Sequence, residues 1–148
     1  MSMCVEESIG EWYDPVPGTG GIYRLIAQAG GGTDQPDRIG AVIALGDSGD
    51  PRAVRPLIHC CNDEDSEIRR HATDALGKLK SGRAVFALIE RMKDKSEQAG
   101  TRERAASALA TIRTYSAIEG LRDRIFDAHE DPAIRSYVAE ILGRMRIW

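Results

Sequence analysis

Four short segments of this chain can be laid over one another, and that recurrence constrains the fold more than any other feature. Leu76 and Gly77 reappear as Leu45 and Gly46 at an offset of 31, as Leu109 and Ala110 at 33, and as Leu142 and Gly143 after a further 33. A period of 31–33 residues has room for one helix pair. Such a pair cannot bury its apolar faces alone, but stacked copies share one continuous core. The chain is therefore read as all-α, an array of helix pairs in a class whose surfaces mostly bind other macromolecules.

The apolar residues give the register. First-type helices are expected over roughly 36–46, 66–79, 101–113 and 132–146, with inward sets Ala41/Ala72/Ala105/Val138, Ala44/Ala75/Ala108/Ile141 and Leu45/Leu76/Leu109/Leu142. Mostly small residues with one leucine imply close helix approach. Second-type helices are expected over roughly 51–61, 82–93 and 115–127, with inward sets Ala53/Ala84/Ala117, Val54/Val85/Ile118, Leu57/Leu88/Leu121 and Cys61/Met92/Ile125. Asp50-Pro51 and Asp131-Pro132 place a side-chain acceptor at the N-cap and proline in the first turn, and Asp65 can cap the helix that begins at Ser66. Short turns force antiparallel pairing.

Ile22, Leu25, Ile26 and Ala29 have helical spacing, and the first three match Val54, Leu57 and Ile58, so the array opens with an unpaired second-type helix. The glycine-rich stretch from Gly30 to Pro36 behind it reads as a flexible joint and not as a domain boundary. Residues 1–17 show no helical period and end in two prolines. They are read as an irregular arm whose Trp12 and Tyr13 lie over the first helix, and residues 18–148 as the repeat domain. Gly18-Thr19-Gly20-Gly21 precedes a helix, but Ile22-Tyr23 stand where a phosphate loop needs Lys-Ser/Thr, so no nucleotide site is expected.

A net charge of −3 gives no global basic field, which argues against sequence-independent binding to nucleic acid. No apolar run approaches the length of a membrane span and no basic, apolar leader opens the chain, so a cytoplasmic location away from the membrane is expected. Cys4, Cys60 and Cys61 are an odd set without metal or disulfide spacing, in keeping with a reducing compartment.

With period, core and caps in place, the chain resembles the HEAT-like repeats of the phycobilisome lyase type. The resemblance is carried by Asp65 to Leu79 (DSEIRRHATDALGKL) with Gly82 to Ile89 (GRAVFALI), by Asp131 to Arg135 (DPAIR) with Ala139 to Gly143 (AEILG), and by Ala44 to Val54 (ALGDSGDPRAV). It covers roughly residues 37–146. It implies a right-handed α-solenoid, HEAT/armadillo-like, whose second-type helices line the concave side. Members of this group include scaffolds, chromophore-lyase subunits and a di-iron hydroxylase.

The iron-binding relatives place His-Glu pairs near the start of first-type helices, because imidazole with carboxylate suits iron. Here those positions hold Arg70-His71, Glu103-Arg104 and Ser136-Tyr137, and the sole His-Glu pair, His129-Glu130, falls in a loop. No metal and no cofactor is expected. His59-Cys60-Cys61 is no chelate either, since consecutive helical side chains diverge by about 100°; Cys61 is read as core.

Arg38, Arg69, Arg102 and Arg135 occupy one repeat position and are expected to form a structural ladder, tying neighbouring repeats together through loop carboxylates such as Asp50, Asp63 or Asp94. The outward faces of the second-type helices carry Tyr23, then Arg52, Arg55 and His59, then Arg83, Phe86 and Glu90, then Ser116, Glu119 and Asp123, grading from basic to acidic. Exposed aromatics among arginines suit a protein or peptide partner. The chain is accordingly expected to be a non-catalytic interaction module or scaffold, with no catalytic set of its own. Two alternatives stand beside it: a lyase-type, chromophore-handling subunit acting with a second subunit, and nucleic-acid binding through Arg52, Arg55 and Arg83. The array lacks an obvious polar cap after Ile147-Trp148, so an end is expected either to be covered by the arm and Trp148 or to serve a homodimer.

Overall fold

The computed structural model describes residues 20–31 and 34–146. These form eight helices among the described residues: α1 Gly20–Gly30, α2 Gln35–Asp47, α3 Val54–Cys60, α4 Ser66–Leu79, α5 Val85–Lys93, α6 Ala99–Ile112, α7 Tyr115–Phe126 and α8 Pro132–Met145. The arm with Trp12 and Tyr13, and Trp148, lie outside the described residues. Single 3-10 turns, Pro51–Ala53 and Gly82–Ala84, lead into α3 and α5. Asp50, Asp65 and Asp131 cap as anticipated, each side chain accepting from the backbone N–H two residues on, at Arg52, Glu67 and Ala133. Ser81 and Thr114 add two caps of the same kind, to Arg83 and Ala117.

The helices alternate in two layers, α2, α4, α6 and α8 in one and α1, α3, α5 and α7 in the other. Between them runs a single core. Ala53, Ala84 and Ala117, Leu57, Leu88 and Leu121, and Leu45, Leu76, Leu109 and Leu142 are all sealed from solvent. No helix among the described residues is long and apolar enough to cross a membrane.

The two layers are packed very differently, which sets the direction of curvature. A Cβ placed on Gly46 would sit 2.7 Å from the Ala75 Cβ, and one on Gly77 would sit 3.0 Å from that of Ala108. Glycine at these positions is what lets α2, α4 and α6 approach so closely. Neighbouring first-type helices accordingly share much more contact than neighbouring second-type helices do. Between the latter, clefts open: one beside Ile58, Phe86 and Glu90, another beside Ile89, Tyr115 and Glu119. In a stacked array the tighter layer lies on the inside of the bend. The concave side is therefore built by the first-type helices, reversing the expected placement of the second-type helices there.

Candidate functional site

A groove of about 730 Å³ crosses the concave face, running from Ile43 on α2 over α4 to Thr111 on α6. Its floor is small, Ala75, Gly77 and Ala108, for the same steric reason that brings the helices together. Its walls are polar and paired across helices one repeat apart. Lys78 reaches Asp47 at 3.0 Å, Arg104 reaches Asp74 at 2.6 Å, and beyond the groove Ser107 shares a hydrogen bond with the Tyr137 hydroxyl at 2.8 Å. His71 lies in the same groove with its ring 3.3 Å from an Arg70 nitrogen; burial first, then the Arg70 charge, lowers its pKa and favours the neutral imidazole.

The surface residues singled out in the sequence are on the other layer. Tyr23 (43% exposed) and Phe86 (76%) face outward there, as do Arg52, Arg55, His59, Arg83, Glu90 and Asp123; Glu119 is half-buried and paired with Arg122. They form the convex face, where Phe86 and Glu90 border one cleft between second-type helices and Glu119 and Asp123 border another. Arg52 is committed twice, stacking 5.1 Å above the Tyr23 ring and gripping the Asp50 carboxylate at 2.7 Å.

Three of the four repeated arginines bridge repeats. Arg38 donates to the Ala29 carbonyl at the end of α1 and to Asp63 at 2.5 Å in the next loop. Arg69 donates to the Asp63 and Glu64 carbonyls behind it and to Glu97 ahead at 2.7 Å. Arg102 donates to the Met92 carbonyl and to Glu130 at 2.6 Å. Arg38 and Arg102 each bond back to the end of the preceding second-type helix and forward to a carboxylate in the next loop, whereas Arg69 bonds back to carbonyls of the loop that precedes its own helix. Arg38 thereby ties the end of α1 to the loop after α3. Arg135 is half-buried and has no ion-pair partner among the described residues.

Of the acceptors expected, Asp63 serves, whereas Asp50 holds Arg52 and Asp94 holds Arg91 and Ser96. The acceptors the sequence reasoning missed are Glu97 and Glu130, both in fully buried side-chain positions. Each is clamped by a second arginine, Arg91 at 2.8 Å and Arg124 at 3.1 Å. The signal was available: Arg91/Arg124 and Glu97/Glu130 both recur at an offset of 33. Burial pushes the Asp63, Glu97 and Glu130 carboxyls up, but the arginines and a backbone N–H apiece outweigh it and hold all three below the ordinary carboxylate range.

Glu130 is thus structural, and its neighbour His129 is exposed and donates its backbone N–H to Asp127. His59 is exposed, while Cys60 and Cys61 are buried at separate places, against the Ala29 carbonyl and the Thr73 hydroxyl. His71 on α4 and Arg104 on α6 line the groove.

Comparison with known proteins agrees with this architecture. A segment of 62 residues is 40% identical to the phycocyanobilin lyase subunit alpha of Synechococcus elongatus, covering 42% of this chain and 23% of that protein. Two solved structures share the fold. The human deoxyhypusine hydroxylase in complex with glycerol superposes with a TM-score of 0.74 at 21% identity, over 84% of this chain and 43% of that one. The complex of CpcE and CpcF of phycocyanin lyase from Nostoc sp. PCC7120 gives 0.65 at 24% identity, over 84% and 52%. The chain thus spans about a quarter of the curated relative and about half of each solved chain. The HEAT-repeat family matches residues 23–100, more than half of the chain, and it is to this family that the protein belongs.

Proposed function

We propose that this protein is a binding array that holds a protein partner in the concave groove of its first-type helices. One observation carries this: the groove is continuous over three helices, with a floor of small residues and walls of polar and charged side chains. The convex residues Tyr23, Arg55, Phe86, Glu119 and their neighbours are the second candidate surface. Arg52 contributes less there, because Asp50 already neutralises it; the same pairing weakens a nucleic-acid role for Arg52, Arg55 and Arg83.

The test compares three folded proteins on a column exposed to extract of the native source: wild type, Ile43→Glu/Thr111→Arg in the groove, and Arg55→Glu/Phe86→Ala on the convex face. A partner kept by the wild type and the convex variant but lost by the groove variant supports the groove. Loss only from the convex variant moves the site to the other layer.

A second reading rests on the 40% match to a phycocyanobilin lyase subunit. In it the partner is a second HEAT-type subunit, and the pair handles a bilin for transfer to an acceptor protein. Mixing this chain with such a subunit, phycocyanobilin and apo-acceptor, and following the bilin absorbance on the acceptor, tests it. No transfer above the single-subunit background rejects that reading.

A further inference from the structure

We infer that the edge of the array at the C-terminal ends of the first-type helices is a docking row for an acidic, extended segment of a protein partner. The row begins with the backbone. Lys80, Arg113 and Arg146 follow α4, α6 and α8 in the left-handed conformation, at φ of 52°, 60° and 55°. They are equivalent residues one repeat apart. At the corresponding place after α2 stands Gly49, at φ 66°, the residue for which this conformation is unstrained. An ordinary side chain there costs roughly 1–2 kcal/mol. Three such positions have nevertheless been given to cations.

The helix dipole explains basic residues near these ends only in part. On α4 and α8 its preference is already met within the last turn, by Lys78 and Arg144, whereas α6 has no basic residue there and Arg113 alone serves it. Those two are also paired inside the array, Lys78 with Asp47 and Arg144 with Glu140. Lys80, Arg113 and Arg146 are all exposed and have no carboxylate partner among the described residues; the one contact beyond their own cap is a bond from Arg113 to the Met145 carbonyl at 3.4 Å. Arg83, equally exposed and without a carboxylate, stands in the turn after Lys80. The loops before the first-type helices differ, because their carboxylates Asp63, Asp94, Glu97, Asp127 and Glu130 are already paired with arginines.

Two large side chains flank the cations. Phe86 (76% exposed) and Tyr115 (79%) open α5 and α7, beside Arg83 and Arg113. Arginines with exposed aromatics are the composition of an energetic interface centre. The spacing identifies the occupant. Packed helices lie about 8–10 Å apart, so successive cations recur at about that interval. A chain in the extended polyproline II form advances about 3.1 Å per residue with three residues per turn, and so presents every third side chain on one side, about 9 Å apart, one carboxylate to each cation. Nucleic acid fits less well, because its affinity rests on neutralising many closely spaced phosphates and the row offers only a few cations one repeat apart.

The row meets the groove at Lys80, which lines both; Arg113 and Arg146 are not among the groove's lining residues, and the inference is tested apart from what the groove holds. The probe is a fluorescein-labelled 15-residue peptide with glutamate at every third position and serine and valine between, compared with the same peptide carrying glutamine. Binding is read by fluorescence anisotropy at two salt concentrations. Wild type binds the glutamate peptide, more weakly at higher salt, and binds the glutamine peptide at least tenfold more weakly. Lys80→Gly/Arg113→Gly/Arg146→Gly loses about tenfold or more in affinity while its melting temperature holds or rises, since glycine relieves the left-handed positions. His71→Ala, altered in the groove nearer the start of α4 and away from the row, binds the peptide as wild type does. The inference is overturned if the glutamine peptide binds equally, if the triple glycine variant keeps its affinity, or if a single-stranded RNA oligomer of equal charge binds more tightly than the peptide.

Discussion

Glu97 and Glu130 do the same work one repeat apart, and each shows why a buried carboxylate can be tolerated. Glu130 accepts from Arg102 and Arg124 and from the Asp131 backbone N–H. Removing it leaves two largely buried guanidinium groups without their counter-charge, and the loss of one partner from a buried pair costs about 3–5 kcal/mol. Glu130→Ala should therefore lower stability by about that amount in urea unfolding, whereas Glu64→Ala, whose side chain is exposed and forms no ion pair among the described residues, should change it by less than about 0.5 kcal/mol. Equal effects from the two would contradict the clamp. Cys61 offers a kinetic check at the same scale. It is 1% exposed, and burial pushes its thiol up to about 12, so almost no thiolate forms near neutral pH. Site-resolved mass spectrometry after thiol labelling should find Cys61 modified only at the rate of unfolding; fast modification in the folded protein would place it at the surface.

At the scale of the element, the close contact of first-type helices matters more than any single propensity. Gly46 is a poor helix former in isolation, yet it lies in α2 because the Ala75 Cα and Cβ would stand 2.8 and 2.7 Å from any added Cβ. Gly46→Ala should be destabilising by about 1–3 kcal/mol, against its intrinsic helix preference, because α2 and α4 must move apart. Gly40→Ala is the internal control, since nothing lies within 4 Å of its added Cβ. Chemical denaturation of the pair checks this; a stabilised Gly46→Ala would mean that the layer is looser than described. On the second-type helices the corresponding contact is Gly120 against Ile89, whose side-chain tip can yield, which accords with the more open packing of that layer.

For the whole molecule, the ladder makes stability depend on acid. The Asp63, Glu97 and Glu130 carboxyls all titrate lower in the folded chain than in the unfolded one. Their contribution is therefore complete above the unfolded carboxylate range, about pH 4, and is lost as the pH falls through the folded values below it. His71 adds a shallower loss that begins earlier. Its folded pKa is lowered, so the unfolded chain binds the proton first and stability declines once the pH drops below about 6.5. Thermal melts across pH should show a gentle decline followed by a steep one below about pH 4. Glu97→Gln/Glu130→Gln should lie lower at pH 7 and fall less steeply in acid, and an unchanged acid slope would remove the ladder as its cause.

The repeat, the helix pairs, the inward residues and the aspartate caps were legible in the sequence because each is a local or periodic property. An apolar stripe every three to four residues and an acceptor ahead of a helix act within one element. The ladder was half legible. Arg38, Arg69 and Arg102 recur visibly, but which carboxylate each meets depends on where a loop some 25–28 residues away is folded back, and Asp94 lost to Glu97 on that account. Curvature was not legible at all. It is the difference between two layer spacings, set by how closely Gly46 meets Ala75 and Gly77 meets Ala108, and that decided that the concave groove falls on His71, Asp74 and Arg104 while Phe86 borders a cleft on the splayed, convex layer. The amino-acid order fixes which faces are apolar; only packing three-dimensional helices against one another decides which layer is squeezed and which is splayed.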